Sequence, residues 1–106
     1  MLEKLFRLDN KVIVITGATG LLGRKHAEAV ACYGGITILL DLSQQAVDEL
    51  ANELNDKYKV DAVGFTIDIT DEEAIEGNVK QLVKKFGKID GLVNNAANNP
   101  KVEDSE

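Results

Sequence analysis

Three glycines follow a short apolar run near the start of the chain, and their spacing could bind a phosphate group. Gly17, Gly20 and Gly23 come after the β-branched run at residues 12–16, and a helix-forming segment follows at residues 24–33. A strand, a glycine turn and a helix bring backbone N–H groups and the positive end of a helix dipole to one point. The pattern therefore predicts a phosphate-binding loop, although the same glycines could form a tight turn without a ligand.

A carboxylate at the end of the second apolar run could accept hydrogen bonds from a ribose. Asp41 directly follows the run at residues 36–40, and no Lys or Arg occurs between Asp41 and Asp56. Nothing nearby in sequence would neutralise a 2′-phosphate, and Asp41 would repel one. We therefore predict NAD as the cofactor in preference to NADP. The alternative is an ordinary loop carboxylate near a helix N-terminus.

Asp68 and Ile69 follow the third apolar run and allow two interpretations. Asp68 could accept a hydrogen bond from the amino group of adenine, with Ile69 against the ring. It could equally serve the N-terminus of the helix that follows, where a carboxylate is favourable. The sequence leaves both interpretations open.

The fourth apolar run ends in the stretch NNAA at residues 94–97. This stretch should face the glycine loop across a crevice, because the carboxyl ends of parallel strands share one edge of a sheet. Small Ala96 and Ala97 leave room for a ribose, while an asparagine amide can join neighbouring strands. For Asn94 we expect mainly that structural role.

The elements that position these residues alternate between strand and helix. Apolar runs predict strands at residues 12–16, 36–40, 62–67 and 91–94, with helices between them. Short connections and right-handed crossovers give an α/β fold, a Rossmann-like parallel sheet with helices on both faces. Reversal of the winding direction after the third strand gives the strand order 3-2-1-4, with a crevice between strands 1 and 4.

Local signals predict where the helices begin and which faces they bury. Ser43 is the expected N-cap of the second helix, and Thr70 with Glu73 forms a capping box for the third. The expected core positions are Leu22, His26, Val30 and Tyr33 in the first helix, Val47, Leu50, Ala51, Leu54 and Tyr58 in the second, and Ile75, Val79, Leu82, Val83 and Phe86 in the third.

Composition limits the class of protein. The chain has 106 residues, of which 44% are hydrophobic and 28% charged, so we expect one globular domain over residues 1–106. A net charge of −6 argues against a nucleic-acid partner. The single cysteine, Cys32, is expected to be a small buried hydrophobe in a reducing compartment. With no run of membrane-spanning length and no signal-peptide core, we expect a cytoplasmic protein without a membrane partner.

No residue pattern in the chain predicts catalysis. Hydride transfer to or from an alcohol requires a proton donor or acceptor of tuned pKa near the carbonyl oxygen. Tyr33 and Tyr58 have no Lys four residues later, and Ser43 has no plausible base partner. The only histidine, His26, is expected to be a surface or packed residue, and no cluster has metal-ligand spacing.

The segment TGATGLLG, Asp41, the pair Asp68-Ile69 and the phrase FGKIDGLVNNAA together resemble the N-terminal half of a short-chain dehydrogenase/reductase. The resemblance implies that the glycines wrap a pyrophosphate, that Asp41 holds the adenine-side ribose and that Asn95 and Ala96 approach a second ribose. One departure is Leu21, where the commonest pattern has a glycine. The resemblance also implies that Asp68 and Ile69 frame the adenine. The predicted cofactor-binding set is Gly17, Thr19, Gly20, Leu21, Leu22, Gly23, Asp41, Asp68, Ile69, Asn95, Ala96 and Ala97.

The same resemblance places a catalytic Ser and a Tyr-x-x-x-Lys motif beyond the segment that matches here. We therefore expect the NAD(H)-binding portion of an oxidoreductase acting on an alcohol or carbonyl substrate, as a truncated domain that is inactive alone. The alternative is a stand-alone Rossmann-like module that binds a nucleotide or assembles with a partner. Because the fourth strand is apolar and should have a neighbour on each side, we also expect self-association.

Overall fold

The computed structural model describes residues 7–95, which form four strands and three helices in strict alternation. The predicted strand positions are confirmed, with the third strand ending one residue earlier than expected. The elements are β1 (Val12–Thr16), α1 (Leu21–Cys32), β2 (Ile36–Asp41), α2 (Gln44–Tyr58), β3 (Ala62–Thr66), α3 (Glu72–Phe86) and β4 (Gly91–Asn94).

The strands form one parallel sheet in the order β3-β2-β1-β4, as predicted. Ile15 of β1 lies beside Leu39 of β2 on one side and Val93 of β4 on the other. Every strand therefore ends at the same edge of the sheet, where the glycine loop, Asp41 and Asn95 follow. This edge is where open α/β sheets bind ligands.

Helices cover both faces of the sheet. On one face α1 and α2 enclose a cluster that includes Ile15, Leu39 and Leu54. On the other face α3 packs through Leu82 and Phe86 against a smaller cluster around Ile38. The alternation of side chains along β1 and β2 supplies residues to both clusters, which explains why these two strands are apolar throughout.

The structure corrects the predicted core face of α1. Leu22 and His26 are exposed, whereas Val30 is buried as predicted, together with Gly23, Ala27 and Ala31. Small residues on this face allow α1 to lie close to β1. The helix also begins at Leu21, before the predicted segment, because the last glycine of the loop already belongs to its first turn.

Further predictions were also wrong, since Val79 and Val83 of α3 were expected in the core and are exposed. Cys32 is exposed rather than buried, because it lies on the solvent side of the last turn of α1. Thr70 does not cap α3; Asp71 does, through a side-chain oxygen that accepts a hydrogen bond from the Ala74 N–H at 3.1 Å. Ser43 caps α2 as predicted, by accepting from the Ala46 N–H at 3.2 Å.

Within residues 7–95 no helix has both the length and the apolar character needed to cross a membrane.

Candidate functional site

The glycine loop joins β1 to α1 in a turn that requires glycine at two positions. Gly17 has φ of +61°, in the left-handed region that side chains disfavour. A Cβ on Gly23 would collide with the Gly17 carbonyl oxygen and lie 2.8 Å from the Gly17 carbonyl carbon. The first turn of α1 is therefore held directly against the end of β1.

The N-terminus of α1 differs from those of the other two helices. Its N-cap is Gly20, and among the described residues no side chain caps it or places an acidic group in its first turn. The side chains of Ser43 and Asp71, by contrast, cap α2 and α3. The first N–H groups of a helix have no intrahelical acceptors, so those of α1 remain available to an anion.

Leu21 and Leu22 begin α1, and their side chains lie in solvent. Leu21 is 78% exposed and Leu22 is also exposed. These two predicted site residues can therefore contribute backbone N–H groups, while their side chains form no part of the cleft wall.

Asp41 ends β2 and is hydrogen-bonded to the glycine loop. Its Oδ2 accepts from the Thr19 N–H at 2.9 Å and from the Thr19 hydroxyl at 2.6 Å, and its Oδ1 accepts from the Leu42 N–H at 2.8 Å. Partial burial acts to raise the pKa of Asp41, but these three donors outweigh it and hold the pKa below the ordinary value. Asp41 is therefore a fixed negative charge beside the loop.

Asp68 follows β3 and bonds within its own loop. Its Oδ1 accepts from the Thr70 hydroxyl at 2.6 Å and from the Thr70 N–H at 2.9 Å, and both bonds lower the pKa of Asp68. Asp68 is not the N-cap of α3, since Asp71 occupies that position, and a charge role for Asp68 at the α3 N-terminus stays a prediction. Asp68 and Ile69 both lie in the cleft wall, which keeps the adenine-side interpretation as a prediction.

Asn94 joins the end of β4 to β1, the structural role expected for it. The Thr16 hydroxyl donates to Asn94 Oδ1 at 2.8 Å and accepts from the Asn95 N–H at 3.1 Å. One hydroxyl thus connects two successive residues of the fourth strand end to the strand that precedes the glycine loop.

Asn95 lies in the cleft wall beside α1. Its Oδ1 is 2.9 Å from Nδ1 of His26. The histidine, expected to be a surface or packed residue, therefore contacts a predicted site residue. The buried Asn95 Nδ2 has no hydrogen-bond partner within residues 7–95. A buried amide donor without an acceptor is unfavourable, which makes it a candidate to donate to a ligand. Ala96 and Ala97 lie outside the described residues.

These elements enclose an open cleft of about 390 Å³ at the carboxyl edge of the sheet. Six of the predicted site residues line it, while Thr19 and Gly23 do not. The wall contains two carboxylates and no Lys, Arg or His among the described residues. The lining residues are Gly17, Gly20, Leu40, Asp41, Leu42, Ile67, Asp68, Ile69, Thr70 and Asn95.

Sequence reasoning missed the four lining residues Leu40, Leu42, Ile67 and Thr70. Each is within two residues of a predicted site residue at a strand end, so position along the strand was a usable signal. It also missed the bonds from Thr19 to Asp41 and from His26 to Asn95, which join residues 22 and 69 positions apart. No local pattern encodes such contacts. Among residues 7–95, no group of three His, Cys, Asp or Glu side chains could hold a metal ion.

Chemically, the cleft can accept an anion at the α1 N-terminus and hydroxyl groups at Asp41. It holds no paired acid and base for proton transfer among the described residues. The two tyrosines, Tyr33 and Tyr58, lie at the C-terminal ends of α1 and α2. In a strand–helix–strand unit the helix runs back along the sheet, so both tyrosines are at the edge opposite the cleft.

Known proteins are similar to this chain in sequence and in fold. The family model for short chain dehydrogenase matches residues 11–106. A meso-2,3-butanediol dehydrogenase of Serratia marcescens is 40% identical over 90 residues, which cover 85% of this chain and 35% of that protein. The chain thus spans about a third of the length of the curated relatives it matches.

Two solved structures superpose closely on the sheet and its helices. NAD⁺-bound xylitol dehydrogenase matches with a TM-score of 0.76 and 34% identity, over 82% of this chain and 33% of that one. L-Sorbose reductase from Gluconobacter frateurii, complexed with NADPH and L-sorbose, matches with a TM-score of 0.81 and 29% identity, over 94% and 39%. On these grounds the chain belongs to the short-chain dehydrogenase family of oxidoreductases.

Proposed function

We propose that residues 1–106 are the NAD(H)-binding portion of an oxidoreductase that acts on an alcohol or carbonyl substrate. The pyrophosphate would lie on the N–H groups of the glycine loop and the α1 N-terminus, with the adenosine toward β2 and β3. The second ribose would lie toward β4, near Asn95 and the predicted residues Ala96 and Ala97. Dinucleotides bind across the point where strand order reverses, which here is between β1 and β4.

The observation that carries this proposal is the position of Asp41. Its carboxylate ends β2 in the cleft wall, is hydrogen-bonded to Thr19 of the glycine loop and is held ionised by three donors. A fixed carboxylate beside a phosphate-binding loop suits a ribose diol, which offers two hydroxyl donors.

The same carboxylate favours NAD over NADP. A 2′-phosphate would replace a donor hydroxyl with negative charge beside Asp41, and no cation among the described lining residues would compensate. Relatives and structural neighbours use both cofactors, so this preference must come from the residues of this chain.

Calorimetric titration of the chain with NAD and NADP tests the assignment. We expect NAD to bind at least tenfold more tightly than NADP. Asp41→Asn should weaken NAD binding by about 10- to 100-fold, the effect of losing hydrogen bonds to a charged acceptor. It should weaken NADP binding less, which narrows the ratio of the two dissociation constants.

Asp48→Asn is the matched control. Asp48 is exposed on α2 and accepts a hydrogen bond from Gln44 at 2.9 Å, so the variant changes net charge equally without altering the cleft. It should leave both affinities unchanged. Equal affinity of the unmodified chain for NAD and NADP, or no binding of either, would refute the proposal.

We further propose that this chain alone does not turn over substrate. The support is chemical, because the cleft wall within residues 7–95 includes no tyrosine or lysine to exchange a proton with an alcohol oxygen. NADH formation should therefore be undetectable with meso-2,3-butanediol, the alcohol named for the Serratia relative, even when NAD binding is saturated. Turnover that follows the purified chain through chromatography would contradict this.

Self-association is proposed from the surface of β4. Among the described residues β4 pairs with β1 alone, and Leu92 on this strand is 63% exposed. Exposed apolar strand edges pair with other chains. Light scattering at micromolar concentration should show a dimer or larger species, and Leu92→Lys should shift it toward monomer. A monomer at all concentrations would overturn the proposal.

A cytoplasmic location also remains a proposal. Its support is the free, exposed thiol of Cys32, which suits a reducing compartment. Fractionation of the producing cells, with the chain detected by antibody, should find it with cytoplasmic markers. Recovery with membrane or secreted fractions would refute it.

A further inference from the structure

We propose that Thr19 is a positioning residue for Asp41, fixing its carboxylate for the adenine-side ribose and thereby helping to set the choice of NAD over NADP. This inference rests on the proposed function and assigns to Thr19 a role that acts through Asp41. Thr19 lies in the glycine loop, so a single residue would link the phosphate-binding and ribose-binding parts of the cleft.

The geometry is a two-point contact on one oxygen. The Thr19 N–H donates to Asp41 Oδ2 at 2.9 Å, and the Thr19 hydroxyl donates to the same oxygen at 2.6 Å. Two donors from one residue fix both the position and the rotation of the carboxylate. The rotamer entropy of Asp41 is then lost on folding rather than on ligand binding, which favours affinity.

Counting acceptor sites shows what remains for a ligand. A carboxylate has about four lone-pair sites. Thr19 uses the two on Oδ2, and the Leu42 N–H uses one on Oδ1 at 2.8 Å. One site on Oδ1 therefore remains for a ribose hydroxyl. A second ribose hydroxyl would have to share Oδ2 with Thr19.

The charge state follows from the same contact. Burial acts to raise the pKa of Asp41, and the Thr19 hydroxyl is the strongest of the donors that lower it. Removing that hydroxyl should therefore raise the pKa of Asp41. This readout belongs to the ligand-free protein and does not depend on cofactor binding.

Thr19→Val and Thr19→Ser test the proposal by calorimetry with NAD, NADP and AMP. We expect Thr19→Val to weaken NAD and AMP binding by about tenfold, the effect of one hydrogen bond to a charged group, and NADP binding less. Thr19→Ser should restore the NAD affinity to within about threefold because it keeps the hydroxyl. In Thr19→Val, the carboxyl ¹³C resonance of Asp41 should titrate at higher pH than in the unmodified chain.

Thr66→Val is the matched control, because the Thr66 hydroxyl donates to Gln44 at 2.7 Å outside the cleft. It should change neither the NAD affinity nor the titration of Asp41. If the unmodified chain binds NAD while Thr19→Val leaves the affinity and the Asp41 titration unchanged, the positioning role is wrong and the proposed function stands. Equal losses in Thr19→Val and Thr19→Ser would also overturn it. If the unmodified chain does not bind NAD, the proposed function fails instead.

Discussion

The two faces of the sheet carry helices of similar amphipathic pattern, but the apolar side chains of those helices are buried to different extents. On the face covered by α1 and α2, the apolar positions of α2 are almost fully enclosed, and Leu54 is 1% exposed. On the opposite face, α3 buries Leu82 equally well, yet Val79 and Val83 remain 42% and 44% exposed. For α2 the sequence pattern predicted the buried side correctly, whereas in α3 the degree of burial at the predicted positions also depends on neighbouring helices.

The difference continues at the polar groups. Beneath α3 lies a groove of about 300 Å³, mostly apolar, which is lined by Leu82, Leu92 and Asn78 among others. The Nδ2 of Asn78 is buried there without a partner among residues 7–95. On the α2 face, Asn55 instead exchanges two hydrogen bonds with the backbone of Ala62, at 2.7 and 3.0 Å. Among residues 7–95, the part-buried Asn55 amide is thus bonded at both its oxygen and its nitrogen, whereas the Asn78 nitrogen beneath α3 is not.

Leucine truncation on the two faces should give the largest contrast. Leu54→Ala should lower the free energy of unfolding by about 4 kcal/mol, because the enclosed site cannot collapse around the cavity. Leu82→Ala should cost about 2 kcal/mol, because Leu82 already lines the groove and its neighbours have room to adjust. Urea unfolding with a common m-value measures both.

Leu42→Ala is the control for this pair. At 68% exposure it should change the free energy of unfolding by less than about 0.5 kcal/mol. Equal losses for Leu54→Ala and Leu82→Ala would show that the two faces are equally well packed and remove the basis of the comparison.

Glycine-to-alanine substitution should change stability in opposite directions on the two faces. At Gly23 the new methyl group would collide with the Gly17 carbonyl oxygen, so we expect a loss of about 1–3 kcal/mol. At Gly77 in α3 nothing lies within 4 Å of the new Cβ, so the higher helix propensity of alanine should add about 1 kcal/mol. Thermal and urea unfolding of the two variants would measure this, and the same sign for both would contradict it.

Most of the fold could be predicted from the sequence because its signals are local. The apolar runs, Ser43 and the short connections predicted the strands, the cap of α2 and the strand order. Errors arose where neighbouring positions compete. Thr70 and Asp71 are both good caps; in the structure the Thr70 hydroxyl donates to Asp68, and Asp71 caps the helix. In α1 the small residues face the sheet. Hydrophobicity alone ranks small residues below Leu22 as core positions, so it predicted the wrong face.

The site was predictable at strand ends and less so between them. Asp41, Asp68 and Asn95 were named from their positions after apolar runs, and the fold brings them into one cleft. The bonds from Thr19 to Asp41 and from His26 to Asn95 depend on side-chain direction after folding. Types and spacing in a sequence carry no information on that direction.

Replacement of the unsatisfied amide of α3 should have a smaller effect. Asn78→Leu removes a buried donor without an acceptor and adds apolar surface to the groove, so we expect a gain of about 1 kcal/mol in unfolding free energy. The matched change on the other face, Asn55→Leu, should instead destabilise, since it breaks both bonds to Ala62. A loss of stability in Asn78→Leu would contradict this prediction.

The smallest expected effect concerns how β4 is attached to the sheet. With little burial of its own, β4 is joined to β1 at its start by Asp90, whose Oδ2 accepts from the Val12 N–H at 2.7 Å. That N–H, and secondarily the Lys88 ammonium, hold the pKa of Asp90 below the ordinary value of 3.8. A depressed pKa means that the stabilisation from ionised Asp90 is present above about pH 4 and is lost as the pH falls through the folded-state pKa.

Asp90→Asn should therefore be less stable than the unmodified chain near neutral pH, and the difference should shrink in acid. Urea midpoints of both proteins between pH 3 and pH 7 would measure this. A difference that stays constant over that range would show that β4 is not held by the charge of Asp90.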